Sequence, residues 1–354
     1  MGDIGFLLFA NNALCRLEYF LIKTNKVPIM KKLFIALACA AFSISSFSYA
    51  QGSNPFPNKP IKIIVPLAPG GATDIASRIL AAALSEVTGE SVFVENKTGA
   101  SGNIGMTTVA QSAPDGYTLL MGNVSINAIN ELIYSKQLKA LPSKDLVPIS
   151  MIASIPNLLV SGQNFPPNNM KELVAYTKQR PGALNFSAPM GGYSHLDMLD
   201  FNRQAGISLL NIPSKGAGAS QSSIIAGEIH YSILNAATVT EIVKSGKMKA
   251  FATTSSARLP ALPDVPTMTE LGYVGIGSDN WNAIFAPAKT PKPVIDYLFT
   301  AITKAMQMPR VKESFAKAHV PIALSKSPED AKNFIQNDSA RWKRVISENN
   351  FVIE

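Results

Sequence analysis

Residues 61–75 read IKIIVPLAPGGATDI, and this stretch limits the fold more than any other. A β-branched apolar run (Ile61, Ile63, Ile64, Val65) is broken by Pro66 and Pro69 and then by Gly70-Gly71. Behind Thr73 and Asp74, apolar residues return at Ile75, Ile79, Leu80, Ala83, Leu84 and Val87. The spacing predicts a buried strand, a glycine turn and an amphipathic helix in direct succession. Glycine lets the backbone come close to a ligand, and the N–H groups of the first helical turn have no partner within the helix. Such a corner favours an anion, a small carboxylate for example, without using a Lys or Arg.

The same grain runs along the rest of the chain. Residues 92–95 read as a strand, and 96–105 as a second glycine-rich loop leading into a helix that ends before Pro114. Pro114-Asp115-Gly116 is a turn signal feeding a strand at 117–121. Further strands are predicted at 151–160, 184–188, 209–212, 229–234, 249–253 and 281–285. Helices are predicted near 170–179, from about 194, near 221–225, and over most of the C-terminal part. This rhythm predicts α/β architecture with a largely parallel sheet, in two lobes with a ligand cleft between them.

The first 50 residues stand apart. From Met30 the chain reads MKKLFIALACAAFSISSFSYA, a basic start, a short apolar run and a small-x-small ending at Ala50. That is the pattern of a cleaved secretory signal, too short to span a bilayer, with the mature chain expected to begin at Gln51 and residues 1–29 read as an over-extended start. Both cysteines, Cys15 and Cys39, lie in this region, so a thiol-free and disulfide-free mature protein is expected. Cleavage removes Arg16, Lys23, Lys26, Lys31 and Lys32 together with Asp3 and Glu18. The formal net charge of +8 for the full chain thereby falls to +5. The remaining Lys and Arg are scattered without an aromatic-interleaved stripe, which argues against a nucleic-acid partner.

A second corner lies at residues 188–195, APMGGYSH, between a predicted strand and an amphipathic run through Leu196, Leu199 and Phe201. One such turn is weak evidence, but one in each lobe suggests that the two grip opposite ends of a dicarboxylate. Neither corner is a nucleotide site. The first lacks the Gly-Lys-Ser/Thr ending of a phosphate loop, and Gly99, Gly102 and Gly105 do not follow G-x-G-x-x-G. The 96–105 loop therefore reads as a turn and a close packing point. Ser194 and His195 raise the question of nucleophilic catalysis, but neighbours on a helix diverge by about 100°. No G-x-S-x-G elbow is present either. The reading preferred here has Ser194 capping the helix, His195 donating a hydrogen bond across the turn or cleft, and Asp74 capping the first helix while bonding the ligand. With His230 and His319 far away in sequence and no mature cysteine, no metal site is expected.

Several segments together resemble one family, the Bug-type solute receptors of tripartite tricarboxylate transporters, from about residue 56 to the C-terminus. They are KPIKIIVP at 59–66 with APGGATD at 68–74, VENK at 94–97 running to Gly105, and APDGYTLL at 113–120. SHL at 194–196, KGAG at 215–218, LPDVPT at 262–267, and Trp281 with Ala286-Pro287 follow in order. The resemblance implies a periplasmic binding protein of type II, with lobe 1 made of residues 56–154 and 279–354 and lobe 2 of 155–278. It implies a non-enzymatic, monomeric, periplasmic receptor without cofactor or metal. Such a receptor captures a dicarboxylate, tricarboxylate or aromatic acid for membrane permease subunits. A co-receptor for a sensor kinase is the main alternative, and a Ser/His hydrolase a lesser one. The candidate ligand-binding residues are Gly70, Gly71, Ala72, Thr73, Asp74, Asn123, Asn157, Gly192, Tyr193, Ser194, His195, Lys215 and Gly216. Gly71 is expected where the backbone meets the carboxylate, at positive φ. Three departures stand out: Tyr193 where the family has a small residue, Ser214 where it has Tyr, and Pro189-Met190 for a more polar pair. If Tyr193 and Ser214 both line the cleft, an aromatic ring has changed place; otherwise Tyr193 points to solvent.

Overall fold

The computed structural model describes residues 56–214, 217–277 and 279–351. The leader, its cleavage after Ala50 and both cysteines lie outside the described residues, as do Lys215 and Gly216.

Strand β1 (Ile61–Val65) is the centre of the first lobe, with Ile61, Ile63, Ile64 and Val65 all fully buried. Apart from Lys62, which is partly exposed and paired with Glu95, the strand is apolar throughout, as one covered on both faces requires. It pairs in parallel with β2 (Val92–Asn96) and β3 (Thr118–Asn123). The sheet is completed by β4 (Leu146–Ile155) and β10 (Asn280–Pro287), in the order β2-β1-β3-β10-β4. β10 runs antiparallel to both neighbours, and the other four strands share one direction, so the sheet is largely parallel with one reversed strand. Helix α1 (Ala72–Thr88) packs on one face, and α2 (Asn103–Ala110) contributes Met106 and Val109 to the apolar cluster on the other. Gly105 lets α2 lie against the loop after β1: a Cβ there would come within 2.8 Å of Pro66 Cβ.

The run predicted as one strand over 151–160 is two strands in two sheets. Pro156 separates β4 from β5 (Asn157–Gly162). Proline has no N–H to continue the ladder. Its carbonyl instead accepts the N–H of Ala236, 2.9 Å away. β5 is the middle of an antiparallel sheet with β8 (Tyr231–Asn235) and β9 (Met248–Thr253). A parallel pair, β6 (Asn185–Ala188) and β7 (Leu210–Pro213), stands beside it. The second lobe's helices are α3 (Met170–Lys178), α4 (Tyr193–Ala205), α5 (Ala217–Ala226) and α6 (Ala236–Lys244). The chain then returns to the first lobe for β10, α7 (Lys292–Gln307), α8 (Pro309–Lys317) and α9 (Pro328–Glu348). This is the two-lobe α/β architecture the sequence predicts.

The lobes are tied together away from the corners. Glu348, the last residue of α9, accepts from Arg203 of α4 at 2.9 Å. His319, just after α8, lies 3.1 Å from Glu241 of α6. Asp338 of α9 accepts the indole N–H of both Trp281 (2.8 Å) and Trp342 (3.0 Å), fixing the helix to the start of β10.

Candidate functional site

The two glycine corners have the same backbone. In the first, Gly70 is left-handed (φ 84°) and Gly71, the residue capping α1, is extended (φ −78°, ψ 165°). In the second, Gly191 is left-handed (φ 69°) and Gly192, capping α4, is extended (φ −72°, ψ 164°). Each helix then begins one residue later, so Ala72 is equivalent to Tyr193, Thr73 to Ser194 and Asp74 to His195. The equivalence extends to hydrogen bonding. Gly70 N–H donates to Asp74 Oδ2 at 3.0 Å, and Gly191 N–H donates to His195 Nδ1 at 3.1 Å. This resembles a capping box set one residue further out, with a side chain from the third helical position closing the turn that precedes the helix.

That geometry corrects several expectations. The positive φ belongs to Gly70 and not to Gly71. Ser194 does not cap α4; Gly192 occupies that position, without a side-chain cap. His195 accepts the Gly191 N–H at Nδ1, which places the proton of the neutral ring on Nε2 as its donor. Asp74 is committed to the protein, accepting from Asn96 Nδ2 at 2.8 Å and from Arg78 Nε at 3.0 Å as well as from Gly70. Both residues shape the corner. The first corner presents its first-turn N–H groups and the Thr73 hydroxyl; in the second, Tyr193 N–H donates to Ser125 Oγ and His195 N–H to Gly192 O, which leaves the Ser194 N–H and hydroxyl.

Electrostatics follow from burial and partners. Burial raises the Asp74 pKa, but hydrogen bonds from Arg78, Gly70 and Asn96 outweigh it and leave the carboxyl below its usual value. Burial drives His195 down to about 4, between the rings of Phe186 and Phe351. The α4 corner touches the opposite lobe directly, with Tyr193 N–H donating to Ser125 Oγ at 3.2 Å. Ser125 begins a π-helical turn, Ser125–Ile129. Leu67, on the approach to the first corner, and Tyr193, at the start of the second helix, pack against the same apolar cluster. The two corners are thereby brought to one region of the molecule.

The other candidates divide. Asn123 Oδ1 accepts from Ile126 N–H at 3.1 Å, and Asn123 stands opposite Asn282 in the β3–β10 ladder. Asn157 N–H donates to Thr254 Oγ1 at 2.8 Å where the chain enters the second lobe. Tyr193 is half-buried, its ring packing on the first lobe's apolar cluster; burial raises its phenol pKa above the ordinary value against a hydrogen bond from the Asn235 side chain. Ser214 is bonded by the Ser220 hydroxyl at 2.9 Å.

Sequence reasoning missed a set of buried asparagines. Asn282 Nδ2 donates to Thr73 Oγ1 at 3.0 Å, tying β10 to the first corner. Among the described residues, Asn282 Oδ1, Asn280 Oδ1 and both amide atoms of Asn127 are buried without a hydrogen-bond partner. Buried polar atoms in that state ordinarily meet water or a ligand. No sequence signal marks them, because only the ladder register places Asn282 beside Thr73.

The chain matches the family described as "Tripartite tricarboxylate transporter family receptor" over residues 76–351. The chain belongs to this family. The receptor is 35% identical to Protein BugT of Bordetella pertussis (strain Tohama I) over 317 residues, covering 89% of this chain and 95% of BugT. Among solved structures, it is similar to R. palustris Rpa4515 with adipate (29% identity, TM-score 0.78), over 84% of this chain and 99% of that one. It is also similar to MatC (Rpa3494) from Rhodopseudomonas palustris with bound malate (28% identity, TM-score 0.75), over 82% and 100%. Its fold is that of the periplasmic binding protein BugD (31% identity, TM-score 0.75), over 83% of this chain and 99% of that one.

The glycine pair can be tested directly. Gly71→Val meets only Ala68 O, 3.9 Å from its Cβ, at an ordinary φ, so the protein is expected to fold and melt near the parent temperature. A β-branched side chain at the mouth of α1 is expected to abolish ligand binding. Gly70→Val has room, with nothing within 4 Å, but must adopt φ 84°, and is expected to cost about 1–3 kcal/mol of stability. Thermal melts and calorimetry on the two variants separate these effects, and a Gly71→Val protein that binds normally contradicts the assignment.

Proposed function

We propose that this receptor captures a small carboxylate between its lobes in the periplasm and delivers it to the permease subunits of a tripartite tricarboxylate transporter. The observation that carries this reading is the matched pair of corners. Each lobe presents a helix N-terminus whose entry is stiffened by a left-handed glycine and a buried acceptor side chain. Partial positive charge at both ends of a cleft suits an anionic ligand, and a dicarboxylate most of all. The carboxylates bound by Rpa4515 and MatC support the ligand class. Gly70, Gly71, Ala72, Thr73, Gly192, Tyr193 and Ser194 are the proposed contacts, with Asp74 and His195 positioning them. Lys215 and Gly216 are proposed from the sequence resemblance.

The same geometry argues against hydrolysis. His195 Nδ1 is occupied by the Gly191 N–H, and Ser194 follows Tyr193 in the first turn with its neighbour His195 about 100° further round the helix. Periplasmic placement requires a cleaved leader, so the secreted protein is expected to begin at Gln51 and to lack a thiol. Intact mass and a thiol reagent test both points.

A thermal-shift screen over mono-, di- and tricarboxylates, followed by calorimetry at low and high salt, tests the binding itself. Backbone amides and hydroxyls should hold the ligand with little loss of affinity at ionic strength that screens exposed ion pairs. A steep loss with salt would replace the amide account with one based on exposed Lys or Arg.

A further inference from the structure

Helix α1 carries four hydroxyl side chains, Thr73, Ser77, Ser85 and Thr88. Three of them bond back along the helix: Ser77 Oγ donates to Thr73 O at 2.7 Å, Ser85 Oγ to Ala81 O at 3.0 Å and Thr88 Oγ1 to Leu84 O at 2.8 Å. Thr73 stands at the second helical position, so the residue four before it lies outside the helix. Its Oγ1 instead accepts a hydrogen bond, from Asn282 Nδ2 at 3.0 Å. Among the described residues no protein group accepts the Thr73 hydroxyl proton, although the side chain is buried. A buried donor in that state ordinarily meets water or a ligand.

The Asn282 amide can face only one way. Its Nδ2 also donates to the carbonyl of Trp281 at 3.2 Å, and a carbonyl oxygen only accepts, so the nitrogen must lie on that side. Nδ2 thus gives one hydrogen to Trp281 O and the other to Thr73 Oγ1. Oδ1 is left without a partner on a residue that is 0% exposed. Stability alone disfavours this arrangement, because a buried unpaired acceptor is costly where an apolar side chain is not.

We propose that Asn282 is a positioning residue for ligand capture, committing the Thr73 hydroxyl to donate to the ligand carboxylate. The Asn282 amide fills an acceptor site on Thr73 Oγ1, and the hydroxyl proton keeps away from that amide. The first corner then meets the carboxylate with donors alone, its first-turn N–H groups and one preset hydroxyl. A donor held in place binds without the reorientation that a free rotor requires. This rests on the carboxylate-receptor reading above.

Calorimetry with succinate, L-malate, adipate and citrate on the mature chain tests the proposal as a double-mutant cycle. Thr73→Val removes the hydroxyl and is expected to weaken the best-bound of these acids about tenfold or more. Asn282→Leu leaves the hydroxyl in place but unoriented, and should weaken the same acid about fivefold. The double variant should bind no more weakly than Thr73→Val alone, because Asn282 acts through the hydroxyl. It should also melt at or near the parent temperature, since both partners become apolar together. Asn282→Ala repeats the cycle if leucine does not fit. Losses that add in the double variant overturn the proposal, as does parent-like affinity in Thr73→Val or in a folded Asn282 variant. Failure of both Asn282 variants to fold would make the residue structural and overturn it equally. If none of the acids binds the parent, the carboxylate reading itself fails and takes the positioning role with it.

Discussion

Acidification from pH 6.5 to pH 4 is expected to destabilise the protein by about 3 kcal/mol through His195 alone. Its folded pKa, about 4, lies below the unfolded value of 6.5 because burial disfavours the charged ring. Above pH 6.5 the ring is neutral in both states and the stability is fully present. Between 6.5 and 4 the unfolded chain binds a proton that the folded protein refuses, so stability falls with pH. Asp74 acts in a lower window: its folded pKa is depressed, so its contribution is kept until pH falls through the carboxylate range. Urea denaturation of the parent and His195→Asn from pH 7 to pH 4 isolates the histidine, since other groups contribute equally to both proteins. The parent curve should drop more steeply, and parallel curves would show that His195 is not held neutral. Protonation also removes the acceptor for the Gly191 N–H, so ligand affinity should weaken over the same range.

Asp74→Ala is expected to cost about 2–4 kcal/mol and to reduce ligand affinity more than tenfold. The carboxylate is 3% exposed and accepts from Gly70 N–H, Asn96 Nδ2 and Arg78 Nε. Truncation leaves donors in and around the corner without their acceptor and frees the left-handed turn that sets the mouth of α1. Asp74→Asn keeps one acceptor oxygen and should lie between the parent and Asp74→Ala in both measurements. An Asp74→Ala protein that melts with the parent would mean that the loop closes without its carboxylate. If stability fell while affinity stayed intact, the corner would not be a ligand contact.

Both corners were legible in the sequence because strand, glycine pair and helix are local patterns that punctuate hydrophobic periodicity. Their inner workings were not. Nothing in Gly70-Gly71 says which residue takes the left-handed conformation; that depends on Asp74 reaching back to the Gly70 N–H. Nor does the sequence say which ring nitrogen of His195 carries the proton, since that is decided by the Gly191 N–H it accepts four residues earlier. The run through Pro156 read as one strand because hydrophobicity continues across the proline while the hydrogen-bond ladder does not. Asn282 was invisible because its partner Thr73 is reached only when β10, far along the chain, inserts between β3 and β4. Long-range register, rather than composition, therefore supplied what the sequence reading lacked.

The central claim is that two equivalent helix N-termini, one per lobe, hold one ligand. Backbone hydrogen exchange, measured with and without whichever acid gives the largest thermal shift in the carboxylate screen, tests it most directly. The amides of residues 70–74 and 191–195 should gain protection together on saturation, with smaller changes elsewhere in the sheets. Protection confined to one corner, or appearing away from both, would contradict the claim.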